Sequence, residues 1–475
     1  MSSFKSPCGR YQSGLTRRES LCRLGSGFGG AALAALMAGN AAGREPTGLH
    51  HPARAKRVIW LFMGGGPSHV DTFDPKPALK EFDRREIPIA VPKHLRDASR
   101  KVLASPFNFR RHGESGIPVS ELLPHMAALT DDLCVIRSMH CNSIDHTGAT
   151  LQTFTGMVSL PRPGIGCWLL YGLGTENNNL PGYVVMGPDQ QSGSATYSSR
   201  FLPAETQGTK VEWNPERLGN GAEALPNLRN SGSLTREEQR RQLRLLETLN
   251  RAYAVETPGH DVLDARAASF ELAFRMQIAA PEAFDLTQES KEVHQLYGLD
   301  QKHTQSFGTR CLLARRLAER GVRFIQVQCG KGDGLDWDQH GDLEKGHRKN
   351  SAATDQPVAA LIQDLKLRGL LDDTLVIWGG EFGRTPTSQG TNGREHHPHG
   401  YTICVAGGGT RGGLIHGATD DFGWFAEQDK IHIHDFHATV LHLMGIDHTQ
   451  LTYPYSGRDF RLTDVHGEVC RSILS

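Results

Sequence analysis

Three runs of the chain share one pattern. "RVIWLFMGGG" (57–66), "GVRFIQVQCG" (321–330) and "DTLVIWGGEFGR" (373–384) are unbroken apolar, β-rich stretches that run into glycine and deliver a polar loop. A strand with one wet face alternates apolar and polar residues. A strand that is apolar throughout must be covered on both faces, as in a parallel sheet between two helical layers. "LCVIRSMH" (133–140), "PGYVVMG" (181–187) and "YTICVAGGG" (401–409) are shorter runs of the same kind. Helical periodicity lies between them. "TREEQRRQLRLLETLNRAYA" opens with a capping box, Thr235 with Glu238, and "FGTRCLLARRLAERG" closes on Gly321 as a C-terminal cap. "DARAASFELAFRMQIA", "DQPVAALIQDLKLRGLLDD" and "IHDFHATVLHLMGI" are the other helical stretches. The alternation predicts a doubly wound, mostly parallel α/β sheet flanked by helices, with a smaller C-terminal sub-region.

In such sheets the loops at the carboxyl ends of the strands carry the site. The loop after 57–66 offers Ser68, His69, Asp71 and Asp74; that after 321–330 offers Asp336, Asp338 and His340. The third offers Glu381, then Arg384 and the run His396, His397, His399. Carboxylates and imidazoles without thiolates suit Zn²⁺, Mn²⁺, Mg²⁺ or Ca²⁺. Asp338 and His340 are two residues apart, so an extended loop aims both to one side. Glu381 directly follows a buried strand, where an unpaired charge is costly. Bland readings stand beside this one. Asp74 and Asp336 suit local turn contacts, and a solvated loop accounts for a histidine run. Arg384 either clamps an anionic oxygen or pairs with a neighbouring acid.

Composition excludes some classes. The chain balances 52 basic against 52 acidic side chains, which leaves no electrostatic footprint for nucleic acid. "GGGPSH" and "AGGGTRGG" lack the P-loop lysine, and "GPSHV" is not the GxSxG elbow of α/β hydrolases. Seven of the nine cysteines lie beyond residue 42, scattered and without a CxxC pair. They read as buried thiols, with Cys134 and Cys141 the pair nearest in sequence.

Residues 1–42 have a signal-peptide layout. "TRRESLCR" precedes the apolar "LGSGFGGAALAALMAG" and the small-residue "NAAG", and paired Arg17 and Arg18 point to the twin-arginine export machinery as a partner. The apolar run is too short and glycine-rich to form a stable membrane span. The expected product is one domain over 43–475, exported to the periplasm or beyond.

The strand-end order resembles that of the alkaline phosphatase and sulfatase superfamily. More closely, the chain resembles an exported branch of it, domain-of-unknown-function family fifteen-oh-one. The motifs are "LFMGGGPSHVDTFDPKP", "DHTGATLQTFTG", "WDQH", "WGGEFGRTP", "REHHPHGY" and the closing "IHDFHATVLHLMGIDHTQLTYPYSGRDFRLTDVHGEV". The resemblance implies an alkaline phosphatase-like fold and a metal-dependent hydrolase of phosphate, sulfate or related anionic esters. Asp71, Asp338, His340, Glu381, His397 and His399 would hold one or two divalent ions, and the sequence leaves open which of His396, His397 and His399 bind. His146, ten residues before Gly156, stands where the superfamily has its nucleophile, and would act as base or nucleophile; Ser68 and Thr147 are second choices. Arg384 would neutralise developing charge. Two departures are plain. No Cys/Ser-x-Pro-x-Arg formylglycine motif occurs near 140–156, and Glu381–Phe382 replaces an Asp-His dipeptide. The alternative is an exported scaffold that kept the fold without the chemistry.

Overall fold

The computed structural model describes residues 48–91, 100–211, 235–256 and 261–475, without side chains for 250–269. The expected signal segment lies outside them. Among the described residues, nine strands form one sheet. They are β1 (Arg57–Met63), β2 (Leu133–His140), β3 (Tyr183–Met186), β4 (Thr209–Val211), β5 (Phe324–Cys329), β6 (Thr374–Gly379), β7 (Tyr401–Ala406), β8 (Leu414–His416) and β9 (Ile431–His432). The order is β8–β2–β7–β6–β1–β5–β3–β4, with β9 also paired to β2. β1 runs parallel to β5 and β6, β5 to β3, and β3 to β4. β8 and β9 run parallel to β2, and β7 alone is reversed.

Every residue of β1 is buried, and the pleat shares them between two cores. Ile59, Leu61 and Met63 pack with helices α3 (Gln305–Glu319) and α4 (Leu343–Leu367), through residues such as Leu313 and Leu361. Val58, Trp60 and Phe62 pack on the other side with α1 (His146–Thr155), α2 (Ile165–Leu173) and α5 (Ile433–Leu443), through Phe154, Leu169 and Val440. Each such side chain contributes roughly 1.5–3 kcal/mol by burial. This two-sided cover is what the unbroken apolar runs required.

Local expectations held at several ends. The capping box forms: Thr235 N donates to Glu238 Oε2 at 2.7 Å and Glu238 N to Thr235 Oγ1 at 3.3 Å. Gly321 takes a positive φ of 77° just past α3. Others differ. The 373–384 run is not one strand; β6 stops at Gly379, and a separate hairpin follows, Gly383–Gln389 with Gly393–His397. Helix α4 begins at Leu343, twelve residues ahead of its recognisable stretch, because the polar segment with Gly346 hides the helical pattern without breaking the helix; Pro357 is also accommodated inside it. After β7 the chain adds β8 and β9 to the main sheet, and beyond α5 it forms a separate small hairpin, Tyr453–Tyr455 with Arg458–Phe460. All seven described cysteines are free, six of them buried, so Cys134 and Cys141 are not joined. No helix among the described residues is long and apolar enough to cross a membrane.

Candidate metal centre

Three parallel strands, β1, β5 and β6, end at one rim, and their loops interlock. Gly65, after β1, sits at φ 106°, and a Cβ there would lie 2.5 Å from Asp338 N and 2.6 Å from Asp336 Oδ1. Only glycine fits both the angle and the space. The Gly65 amide donates to both oxygens of Glu381, at 3.0 and 3.2 Å, tying the end of β1 to the end of β6. Trp337 N donates to Gly64 O at 3.1 Å, which brings in the loop after β5. From the fourth side, β2 leads to His146, the first residue of α1. Its N-cap Asp145 accepts from Gly148 N at 2.8 Å.

These connections aim four side chains at one point. His146, Asp338, His340 and His396 each offer one ligand atom, and all four atoms lie within 4.8 Å of one another. Asp338 Oδ1 is the hub: His340 Nε2 is 2.9 Å away, His396 Nε2 and His146 Nε2 each 3.2 Å, and Arg384 Nη2 2.6 Å. His340 Nε2 and His396 Nε2 are 2.9 Å apart. On each imidazole the other nitrogen faces an acceptor. His146 Nδ1 lies 2.6 Å from Glu381 Oε1, His396 Nδ1 2.7 Å from Ile144 O, and His340 Nδ1 against Gln389 Oε1. If each Nδ1 carries the proton, three Nε2 lone pairs converge beside a carboxylate. Without a cation or a further proton, that arrangement is repulsive.

Two further observations fit a cation. His146 Nε2 is buried and has no partner in hydrogen-bonding geometry, although Asp338 is close. The donors are three nitrogens and one carboxylate, a set that suits Zn²⁺ or Mn²⁺ better than the all-oxygen preference of Ca²⁺ and Mg²⁺. In the absence of an ion, the charges are balanced by protons. Burial disfavours a charged His146, but the Asp338 and Glu381 carboxylates on either side of the ring outweigh it and push the group up to about 9. Burial would raise Asp338, yet the adjoining His146 and His396 imidazoles and the charge of Arg384 hold it well below the usual carboxylate range. Burial raises Asp336, which accepts from Asp338 N at 3.2 Å and so braces the loop.

The structure brings together His146, Asp338 and His340 of the expected set, with Glu381 one hydrogen bond further out. It does not bring Asp71, His397 or His399 to that point. Asp71, on the short helix His69–Thr72, is fully buried against Arg394, with Nε at 2.7 Å and Nη2 at 3.2 Å, and takes the Ser68 hydroxyl at 2.5 Å. His397 is adjacent to His396 on a strand and therefore faces the other way. Its Nε2 meets the Trp424 carbonyl, and its ring lies 6.1 Å from that of His69. Burial holds it neutral. His399 packs beside His397 and Phe425, with ring centroids at 5.6 and 5.7 Å. Arg384 is fully buried and commits its guanidinium to Gly65 O, Gly66 O, Arg394 O and Asp338, so it braces the glycine loop. His396, one of three histidines among which the sequence does not choose, is the one that joins the cluster. The available signal was Gly390-Thr391-Asn392-Gly393, a hairpin turn that puts the next residues on a strand and separates His396 from His397.

Fold and site together define an α/β protein with a three-histidine, one-carboxylate cluster at the carboxyl rim of its sheet. The chain belongs to the family described as protein of unknown function (DUF1501), whose model matches residues 55–474. Among curated proteins none matches. Several solved structures are similar at low identity. Ps i-CgsB in complex with k-i-k-neocarrahexaose has a TM-score of 0.35 at 8% identity, over 83% of this chain and 72% of that one. The lipoteichoic acid synthase LtaP from Listeria monocytogenes gives 0.34 at 11%, over 84% and 76%. Alkaline phosphatase from the Antarctic bacterium TAB5 gives 0.32 at 10%, over 82% and 98%.

Proposed function

We propose that the protein is a hydrolase of phosphate, sulfate or related anionic esters that uses one divalent ion, Zn²⁺ or Mn²⁺, held by His146, Asp338, His340 and His396. The observation that carries this reading is the convergence of three imidazole nitrogens and a carboxylate within 4.8 Å. A divalent ion bound there supplies Lewis acidity toward an ester oxygen and toward water. The chain's own residues do the rest. Glu381 orients His146 through Nδ1, and Arg384 fixes the Asp338 carboxylate and the Gly65–Gly66 loop. With Nδ1 held by Glu381 and Nε2 turned into the cluster beside Asp338, His146 fits the ligand set better than the role of free nucleophile. The resemblance noted in the sequence supplies the substrate class, and the formylglycine motif missing near 140–156 argues for chemistry without that nucleophile. The leader supports export by the twin-arginine route. Replacing Arg17 and Arg18 by lysine should leave the protein in the cytoplasm, and unchanged export would refute that route.

The test of the enzyme reading is metal analysis of purified protein with a panel of chromogenic phosphate and sulfate esters, for the wild type and Asp338→Asn. One ion per chain, with both ion and turnover lost in the variant, is the expected result. A wild type that takes up no divalent ion, or a variant with full metal content, would overturn it.

A further inference from the structure

Two of the three imidazoles are held by groups that can only accept a proton. Glu381 presents a carboxylate to His146, and a main-chain carbonyl faces His396. His340 is different, because its Nδ1 faces the side-chain amide of Gln389, on the far strand of the hairpin. His340 therefore has two tautomers. With the proton on Nδ1, Nε2 presents a lone pair to the cluster. With the proton on Nε2, the ring donates to Asp338 Oδ1, 2.9 Å away, and the cluster satisfies itself with no ion. Glu395 Oε1, 3.4 Å from the same Nδ1, is the only other acceptor near that nitrogen among the described contacts, and it already accepts from His396 N at 3.0 Å.

We infer that Gln389 is the positioning residue that sets the His340 tautomer: its amide oxygen takes the Nδ1 proton and leaves Nε2 bare for a divalent ion. This rests on the metal reading above and adds to it a gate on loading, sited on a residue that touches no ion. Partners of this kind, one shell out from the metal, typically change affinity by roughly 10- to 100-fold. The hairpin then contributes both a ligand, His396, and the residue that prepares another.

The experiment compares wild type, Gln389→Met and Gln389→Glu. Methionine keeps the approximate volume and offers almost no acceptor, whereas glutamate accepts only. Two quantities are read. The first is the protonation pattern of the His340 ring in metal-free protein, by nitrogen-15 NMR with labelled histidine assigned through His340→Gln. The second is Zn²⁺ affinity by competition with a chromophoric chelator. The expected result is proton on Nδ1 in wild type and Gln389→Glu, and a shift toward Nε2 in Gln389→Met. Zn²⁺ affinity should fall roughly 10- to 100-fold in Gln389→Met and be kept in Gln389→Glu, with thermal unfolding of the metal-free variants unchanged. An unaltered tautomer in Gln389→Met overturns the inference, as does an altered tautomer with unaltered affinity. A wild type that binds no Zn²⁺ would instead sink the metal reading, and the tautomer measurement would still decide what Gln389 does.

Discussion

Raising the pH should tighten metal binding, and the size of the effect follows from His146. Its imidazole, pushed up to about 9 between Asp338 and Glu381, is protonated at neutral pH, and an ion must displace the Nε2 proton to bind there. At pH 7 a group with that pKa is about 99% protonated. Affinity is then held about 100-fold below its limit, or roughly 2.7 kcal/mol. Competition against a chelator at fixed free Zn²⁺ should show affinity rising about tenfold per pH unit from 7 and levelling near 9, with about one proton released from His146 per ion. The metal-free protein should show the opposite trend. Because the folded pKa lies above the ordinary 6.5, the His146 contact contributes roughly 3 kcal/mol that is fully present below about 6.5 and lost as pH rises through about 9. Unfolding followed by circular dichroism across pH 6–10, with and without Zn²⁺, separates the two trends. An affinity that stays flat between pH 7 and 9 would refute the reasoning, since His146 could not then be both protonated and a ligand.

Arg394→Met should leave Asp71 as an unpaired buried charge and destabilise the fold by about 3–5 kcal/mol, while metal content in the folded fraction stays at the wild-type level; loss of the ion in folded protein would return Asp71 to the ligand set. Glu381→Gln should weaken Zn²⁺ binding roughly 10- to 100-fold without abolishing it, because it removes a charge that orients His146 and no ligand; titration calorimetry reads this. Acid should unfold the protein early. Burial holds His347 at about 4 and His437 at about 3, so both are neutral in the fold but charge in the unfolded chain as pH falls below 6.5. Each then removes up to roughly 3–5 kcal/mol between about pH 6.5 and those values, and His437→Gln should flatten the urea-midpoint curve over that range.

The fold was legible because the physics of a doubly covered strand is written in single residues: Val58 through Met63 are all apolar, and the pleat sends alternate ones to opposite cores. The rim was legible for the same reason, since an acid placed directly after Leu375–Gly380 has to meet a partner, and Glu381 meets the Gly65 amide and His146. Side-chain direction was less legible. Asp71 and Asp338 look alike in sequence, but Asp71 lies on a helical turn facing Arg394, a residue more than three hundred positions away. Choosing among His396, His397 and His399 required knowing that Gly393–His397 is a strand, since alternation makes neighbours face apart. Gln389 carried no signal, because a glutamine near a turn reads as solvent-facing until the hairpin folds back over His340.

The most direct test is a crystal of Zn²⁺-loaded protein, with diffraction recorded on both sides of the zinc absorption edge. One anomalous peak is expected, bound by the Nε2 atoms of His146, His340 and His396 and an oxygen of Asp338, at about 2.0–2.2 Å each. A peak at His397 and His399, or none within reach of Asp338, would contradict it.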